Sequence, residues 1–146
     1  MKTIVLDANV AVDWFYPSDE GDAYSLQLRN LASQDEVEFK TPLHFDVEVA
    51  RTLRLHYKHN PRRFTRQWFE LSLEVLDTMP IQSISQEVNF AMLGALSRSF
   101  NLDVPDVPYL YLALTMDLPI ATRDRGIISA CKVWNVEHWT PAFTAV

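Results

Sequence analysis

The stretch Lys2-Thr3-Ile4-Val5-Leu6-Asp7-Ala8-Asn9 places an apolar run directly before a carboxylate. The run 4–6 does not alternate with polar residues, which is typical of a central strand covered on both faces. A helix-like segment follows at once. In open α/β sheets, ligands bind at the carboxyl ends of the strands, near the point where strand order reverses. Asp7 is therefore predicted to lie at the functional edge of a sheet.

Strand-like and helix-like segments alternate along the rest of the chain. Strands are predicted at 2–6, 37–41, 80–84, 118–122 and 136–139, and helices at 9–16, 22–33, 42–59, 62–76, 85–100, 109–116 and 124–134. This alternation implies right-handed crossovers and a mostly parallel sheet of four or five strands. We therefore expect an α/β fold, a three-layer sandwich formed by one domain over residues 1–146.

Composition excludes several classes of protein. The 146 residues are enough for one domain with its own core. The single cysteine, Cys131, cannot form an internal disulfide and is expected in the core. No signal peptide, membrane-length apolar segment or Gly-rich phosphate loop is evident. The chain is expected to be a soluble, cytoplasmic protein with no membrane association.

The charge is distributed unevenly along the chain. The net charge is −6, yet segment 49–69 contains six basic residues and no acidic ones. These residues are Arg51, Arg54, Lys58, Arg62, Arg63 and Arg66. They are candidates for contact with a phosphate backbone or an acidic partner, although a solvated helix face explains them equally well.

Four carboxylates are predicted to meet at one edge of the sheet. Asp7 and Asp124 follow strands, Asp106 precedes the helix that leads back to the strand at 118–122, and Glu48 lies about two turns into a helix. Carboxylates crowded together raise one another's pKa unless a cation is present. Oxygen ligands without a His or Cys cluster favour Mg²⁺ or Mn²⁺ over zinc. The other acidic residues of the chain could nevertheless produce such a grouping by chance.

Four motifs, in order, resemble those of the PIN-domain family. They are Asp7-Ala8-Asn9, Pro42-Leu43-His44-Phe45-Asp46-Val47-Glu48, Asp106-Val107-Pro108-Tyr109-Leu110-Tyr111-Leu112-Ala113 and Leu118-Pro119-Ile120-Ala121-Thr122-Arg123-Asp124. The resemblance extends over nearly the whole chain, and the chain's length is similar to that of the VapC-type toxins.

The resemblance implies a metal-dependent endoribonuclease that hydrolyses RNA phosphodiester bonds. Its catalytic and metal-binding residues would be Asp7, Glu48, Asp106 and Asp124, with Mg²⁺ or Mn²⁺ as the cofactor. Asn9 and Thr122 would support these ligands by hydrogen bonds. The basic residues of segment 49–69 would contact RNA or an antitoxin. The resemblance also implies a cognate antitoxin as partner, and a homodimer.

Some positions leave alternatives open. Val107-Pro108 replaces the small residue that usually follows the third acidic residue of the family, and Asp103 is a possible substitute for Asp106. Asp124 could act through water. Asp7, Asp106 and Asp124 could instead cap helices, and Glu48 could pair with a neighbouring arginine.

Trp14 and Phe15 are candidates for base stacking or a dimer contact, although tryptophan is more often found in the core.

Three other functions compete with the toxin interpretation. A PIN nuclease of RNA maturation would have the same site. A nuclease-dead binding module would keep the fold without the chemistry. A receiver-like signalling domain would need an Asp after its third strand and a Lys after its last. Neither residue is present at 80–85 or 136–141.

Overall fold

The computed structural model describes residues 1–16 and 22–141. Within them, one parallel sheet contains β1 (Lys2–Leu6), β2 (Val37–Pro42), β3 (Ile81–Ile84) and β4 (Ile120–Ala121). The strand order is β3-β2-β1-β4. In the register, Ile4 lies beside Phe39 and Leu6 beside Ala121. The predicted parallel α/β sheet is therefore confirmed, with four strands.

Seven α-helices connect and flank these strands in the described part of the chain. They are α1 (Ala8–Asp13), α2 (Ala23–Ser33), α3 (Phe45–His59), α4 (Arg66–Thr78), α5 (Phe90–Phe100), α6 (Val107–Met116) and α7 (Arg125–Trp134). A single 3-10 turn, Val104–Asp106, leads directly into α6. None of the described helices is long and apolar enough to span a bilayer.

The central strand is covered on both faces. Ile4, Val5 and Leu6 are all fully buried, and successive side chains of a strand point to opposite faces. Helices must therefore pack on each side of β1, which gives the expected three layers. Cys131 of α7 belongs to the same core and is 2% exposed, as predicted.

The strand order reverses beside β1. The chain runs outward from β1 through β2 to β3, and then returns to form β4 on the opposite side of β1. The carboxyl ends of β1 and β4 therefore flank the crevice where α/β sheets bind ligands. Asp7 follows β1 and Thr122 follows β4, so both residues lie at this switch point.

The predicted fifth strand at 136–139 is wrong. In this segment only His138 pairs with the sheet, as an isolated parallel bridge to Ile120. Ile120 donates to the carbonyl of Glu137 and accepts from the backbone N–H of Trp139, at 2.9 Å each. Strand β4 is only two residues long, so its edge is too short to pair with a full fifth strand.

Three helices begin at least three residues later than predicted. Pro42 is the last residue of β2, and α3 starts at Phe45. Helix α4 starts after Thr65, whose hydroxyl accepts from the Trp68 N–H at 3.1 Å. Helix α5 starts after Asn89, whose side chain caps the N–H of Met92 at 2.9 Å. Side-chain caps therefore set two of these starts.

Three helices end without glycine. Asn101, Asp117 and Asn135 adopt φ values of 52–56° at the ends of α5, α6 and α7. The left-handed region usually favours glycine, but Asn and Asp tolerate it better than other residues. These turns explain how a chain with only three glycines ends its helices sharply.

Candidate active site

A cleft of about 420 Å³ opens at the switch point of the sheet. Its lining is mostly polar, and five of the lining side chains are carboxylates. The lining residues are Asp7, Ala8, Asn9, Val12, Asp13, Tyr16, Glu48, Thr52, Asp106, Arg123 and Asp124. The four acidic residues singled out in the sequence therefore line one cleft.

Asp7 is buried, and each of its carboxylate oxygens accepts one hydrogen bond. Its side chain is 6% exposed, and Oδ1 accepts from the Ala8 N–H at 2.8 Å. The Thr122 hydroxyl donates to Oδ2 at 2.6 Å. Burial raises the pKa of Asp7 to about 7; the bond from Thr122 opposes the rise, and the charge of Asp106 adds to it.

Asp106 directs its carboxylate to the cleft from the start of α6. Its side chain makes no capping bond to that helix, whereas Asp103 is exposed and lies outside the cleft lining. Pro108 lies in the first turn of α6, and its carbonyl accepts from Gln86 at 3.2 Å. Burial, followed by the charges of Asp124 and Glu48, raises the pKa of Asp106 to about 6.

Glu48 is oriented by two donors on separate elements. The Tyr109 hydroxyl donates to Oε1 at 2.6 Å, and Nε2 of His44 lies 3.1 Å from the same atom. The His44 nitrogen is also 2.8 Å from the Pro105 carbonyl. Burial opposes ionisation of Glu48, but the bonds from His44 and Tyr109 outweigh it and lower the pKa. Glu48 pairs with His44, and not with an arginine.

Asp124 makes two hydrogen bonds at the carboxyl edge of the sheet. Its Oδ1 caps α7 by accepting from the Ile127 N–H at 2.9 Å. Its own N–H donates to the Thr122 hydroxyl at 3.0 Å. Thr122 therefore joins Asp124 to Asp7, and one oxygen of Asp124 is not used by the cap.

The donor set suits a hard cation. The cleft is lined by carboxylates and by Asn9, whose Oδ1 is buried and has no hydrogen-bond donor in the described residues. Among those residues, however, no three acidic, His or Cys side chains are drawn together closely enough to form a ready ligand cluster. Burial first, and then the charges of neighbouring carboxylates, raise the pKa of both Asp7 and Asp106.

An ion-pair network centred on one buried carboxylate borders the cleft. Asp13, 5% exposed, accepts at Oδ2 from the Ser25 hydroxyl at 2.6 Å and from Arg123 at 2.8 Å. The second guanidinium nitrogen of Arg123 lies 3.2 Å from Asp22. This network joins α1 and α2 to the segment after β4.

An aromatic group forms one wall of the cleft. Tyr16 lies in the lining, and its hydroxyl is 2.9 Å from Nε2 of His56. The Tyr16 ring meets His56 and Phe64 edge-on, with centroids 5.2 and 6.1 Å away. Burial raises the pKa of Tyr16; Asp13 adds to the rise, and the charges of Arg123 and Arg63 oppose it. Arg63 therefore lies near this wall.

The six basic residues of segment 49–69 are all exposed but differ in their contacts. Arg66 forms a 2.8 Å ion pair with Glu70 on α4. Arg54 lies over the Tyr57 ring and Arg63 over the Phe64 ring, at 5.0 and 5.1 Å. The remaining three form no ion pair with any described residue: Arg51, Lys58 and Arg62.

Sequence reasoning missed several residues that line the cleft or support its carboxylates, and it misplaced one. His44 and Glu48 are four apart on adjoining turns, a spacing that could have indicated their pairing. Asp13, Tyr109 and Arg123 carried no such local signal. Trp14, a candidate for stacking or dimerisation, is a core residue at 2% exposure. Its indole N–H donates to the Ser25 carbonyl at 2.7 Å, so its polar group is satisfied although the side chain is buried.

Comparison with known proteins identifies the fold. The chain matches no protein-family model and no curated protein. PAE2754 from Pyrobaculum aerophilum is similar in structure, with a TM-score of 0.65 and 12% identity over 89% of this chain and 79% of that one. VapBC2 from Rickettsia felis, solved with a DNA fragment from its promoter, has a TM-score of 0.64 and 11% identity over 94% and 97%. The likeness is one of fold. This chain has a PIN-like α/β fold, as the resemblance of its four motifs implied.

Proposed function

We propose that this protein is a divalent-metal-dependent endoribonuclease and the toxin of a toxin–antitoxin pair. The observation that carries the proposal is the cleft at the switch point of the sheet, lined by Asp7, Glu48, Asp106 and Asp124. These residues come from four separate parts of the sequence. Helix capping does not account for all four, because Asp106 makes no side-chain capping bond and Glu48 lies inside α3.

The electrostatics of the cleft also support a cation. Asp7 and Asp106 have pKa values raised to about 7 and about 6, so ionisation of these carboxyl groups is less favourable in the cleft than in water. A bound divalent cation reverses this balance because it compensates the carboxylates. The four acidic residues would hold Mg²⁺ or Mn²⁺, since oxygen donors suit hard cations. When bound, such an ion activates water and stabilises the charge of a phosphoryl group.

The residues around the carboxylates would keep them in position. Thr122 fixes Asp7 through the 2.6 Å bond and also receives the Asp124 N–H. Tyr109 and His44 occupy one oxygen of Glu48 and leave the other available. Asn9, also in the lining, has a buried Oδ1 with no donor among the described residues. Partners that orient ligands in this way commonly affect metal affinity and activity by 10- to 100-fold.

The toxin assignment depends on the four motifs and on the similar structures. One of these is VapBC2 bound to a DNA fragment from its promoter. By analogy, we propose that this chain has a cognate antitoxin, forms a homodimer and acts on RNA in the cytoplasm. The chain would be a single domain over residues 1–146, and segment 49–69 would contact RNA or the antitoxin.

The test is cleavage of RNA by the purified protein. Wild type with Mn²⁺ should cut cellular RNA internally, and EDTA should stop the reaction. Asp7→Asn should abolish cleavage while the far-ultraviolet circular dichroism spectrum stays unchanged. Cleavage by folded Asp7→Asn at the wild-type rate would show that the site is wrongly assigned. Sequencing the new 5′ ends would identify the RNA that is cut.

A second experiment tests the toxin role separately from the chemistry. Induced expression should arrest growth, and co-expression of the protein from the adjacent gene should restore it. Asp7→Asn should be harmless under the same promoter. Cleavage in vitro without growth arrest would favour a role in RNA maturation. The absence of both cleavage and growth arrest would favour a nuclease-dead module.

A further inference from the structure

Thr122 joins two of the proposed metal ligands, and it lies just beyond the end of its strand. Its hydroxyl donates to Asp7 at 2.6 Å and accepts from the Asp124 N–H at 3.0 Å. Strand β4 ends at Ala121, whose carbonyl accepts from the Asp7 N–H at 3.0 Å. Thr122 is 1% exposed, so the contacts around its backbone decide where its hydroxyl points.

A proline stops the backbone pairing beside Thr122. The Ile120 carbonyl accepts from the Trp139 N–H at 2.9 Å. If this parallel register continued, the Thr122 carbonyl would accept from the backbone of residue 141. That residue is Pro141, which has no N–H. Nε2 of His138 instead lies 2.8 Å from the Thr122 carbonyl. The imidazole therefore takes the place of a backbone donor.

The proton of this hydrogen bond lies on Nε2 of His138. The Thr122 carbonyl oxygen can only accept. The Tyr24 oxygen lies 3.3 Å from the same nitrogen, and the Tyr24 hydroxyl donates its own proton to the Trp139 carbonyl at 2.6 Å. Both neighbours of Nε2 are therefore acceptors. This nitrogen carries a hydrogen whether the imidazole is neutral or charged, so the bond to Thr122 does not depend on protonation of Nδ1.

The imidazole of His138 is itself held in place. Its ring stacks on that of Tyr24, with centroids 5.8 Å apart and 27° between the planes. Tyr24 also meets the ring of Trp139 edge-on at 5.2 Å, and Trp139 is buried. The stacking depends on the ring of Tyr24 and not on its hydroxyl. The backbone of His138 forms the bridge to Ile120, so both its main chain and its side chain are fixed.

We infer that His138 is a positioning residue of the candidate active site and acts through Thr122. Its hydrogen bond fixes the Thr122 backbone, which keeps the Thr122 hydroxyl directed at Asp7 and in reach of the Asp124 N–H. The inference rests on the proposed metal-dependent function and extends the support of the carboxylates to the segment after α7. His138 lies outside the cleft lining, so its effect on a bound metal is indirect.

The first test removes or replaces the donor. His138→Leu keeps a side chain of moderate size without a donor, whereas His138→Gln places an amide N–H near the position of Nε2. The Mn²⁺ concentration for half-maximal thermal stabilisation should rise about fivefold in His138→Leu, less than the roughly tenfold effect of a residue that contacts a ligand directly. In His138→Gln it should stay within about twofold of the wild-type value, because the hydrogen bond is restored.

Arg29→Met is the matched control. Arg29 is also partly buried and donates to a backbone carbonyl at 2.8 Å, that of Trp14, but it lies outside the cleft lining. This variant should lower the melting temperature of the metal-free protein and leave the Mn²⁺ midpoint unchanged. Equal shifts of the midpoint in His138→Leu and Arg29→Met would overturn the inference. So would a shift in folded His138→Gln as large as that in His138→Leu.

A second reading needs neither metal nor RNA. Hydrogen exchange of the Asp124 amide in EDTA reports on its bond to the Thr122 hydroxyl. Its protection is compared with that of the Ile4 amide in the central strand, so that a global loss of stability cancels. His138→Leu should lose protection at Asp124 relative to Ile4, whereas Arg29→Met should keep the wild-type ratio. An unchanged ratio in His138→Leu would contradict the inference.

The wild-type protein provides a reading that does not depend on folding of a variant. In ¹⁵N NMR spectra, the neutral His138 ring should carry its hydrogen on Nε2. A neutral ring with its hydrogen on Nδ1 would show that the bond to Thr122 is absent, and the inference would be wrong even if His138→Leu could not be purified.

The two proposals fail differently. If Mn²⁺ neither stabilises the wild type nor supports cleavage, the metal-dependent function is overturned, while lost protection of Asp124 in His138→Leu would still support the hold of His138 on Thr122. If the wild type binds Mn²⁺ and cuts RNA, and folded His138→Leu does both equally well, the function stands and His138 has no part in the site.

Discussion

The hydroxyl of Tyr109 donates a 2.6 Å hydrogen bond to Oε1 of Glu48, and this bond joins the third acidic motif to the second. Tyr109 is fully buried, and its ring packs against His44 with centroids 5.2 Å apart. His44 lies 3.1 Å from the same Glu48 oxygen. One oxygen of Glu48 is thus occupied by protein donors, and the carboxylate is held in one orientation.

Tyr109→Phe should weaken divalent-metal binding. The substitution removes only the hydroxyl and leaves Glu48 held by His44 alone. We expect the Mn²⁺ concentration for half-maximal cleavage to rise about tenfold, the lower end of the effect of such supporting residues. Titration of Mn²⁺ against cleavage rate measures it, with Mn²⁺-induced thermal stabilisation as a second reading.

Tyr24→Phe is the matched control for this substitution. It also loses a 2.6 Å hydrogen bond, here to the Trp139 carbonyl, but Tyr24 is not part of the cleft lining. It should lower stability without changing the Mn²⁺ dependence. An unchanged Mn²⁺ titration for folded Tyr109→Phe would show that the bond to Glu48 has no part in the site.

The stability of the metal-free protein should fall as pH rises from about 4 to about 7. Burial raises the pKa of Asp7 from 3.8 to about 7, so in this interval the folded state holds a proton that the unfolded state has lost. Unfolding then releases a proton, and a higher pH favours it. A shift of this size corresponds to a few kcal/mol, at about 1.4 kcal/mol per pKa unit.

Asp7→Asn removes this titration. In EDTA the variant should be more stable than wild type at pH 8 and should lose less stability between pH 4.5 and 7.5, with Asp106 accounting for a remaining slope. Urea unfolding at a series of pH values measures both proteins. Parallel curves for the two would mean that Asp7 ionises normally in the fold.

Divalent metal should stabilise the protein through Asp106 and not through Asp103. Asp106 lines the cleft, whereas Asp103 is exposed and outside it. Mn²⁺ at 100 times its dissociation constant should add about 2.7 kcal/mol to the free energy of unfolding. Asp106→Asn should abolish most of this gain, and Asp103→Asn should keep it. The reverse result in thermal melts would identify Asp103 as the ligand.

Arg123→Met should destabilise the fold even without metal. It leaves the buried carboxylate of Asp13 with Ser25 as its remaining side-chain donor among the described residues. An uncompensated buried charge is costly, but the Arg123 side chain is 42% exposed, so we expect about 1 to 3 kcal/mol and not more. Urea unfolding measures the loss. Asp13→Asn with Arg123→Met should recover part of it, because the unpaired charge is then gone.

The sequence alone was sufficient to predict a parallel sheet and to predict which acidic residues lie at its carboxyl edge. The apolar run 4–6 indicated a strand covered on both faces, and Asp7 and Asp124 were placed by the ends of their strands. These inferences depend on local periodicity and on a rule that holds for all parallel sheets. The same local reasoning was wrong at 136–139 and at Pro42, because pairing with the two-residue β4 and the end of β2 decided those segments.

The tertiary structure alone decided which side chains support the carboxylates. Thr122 and Asp7 are 115 residues apart, Arg123 and Asp13 are 110 apart, and Tyr109 and Glu48 are 61 apart. No spacing rule joins such pairs, since their contact depends on how α1, α3, α6 and the end of β4 pack together. Periodicity and strand ends therefore bring the acidic residues to one edge, whereas the hydrogen bonds that orient them exist only once the layers have packed.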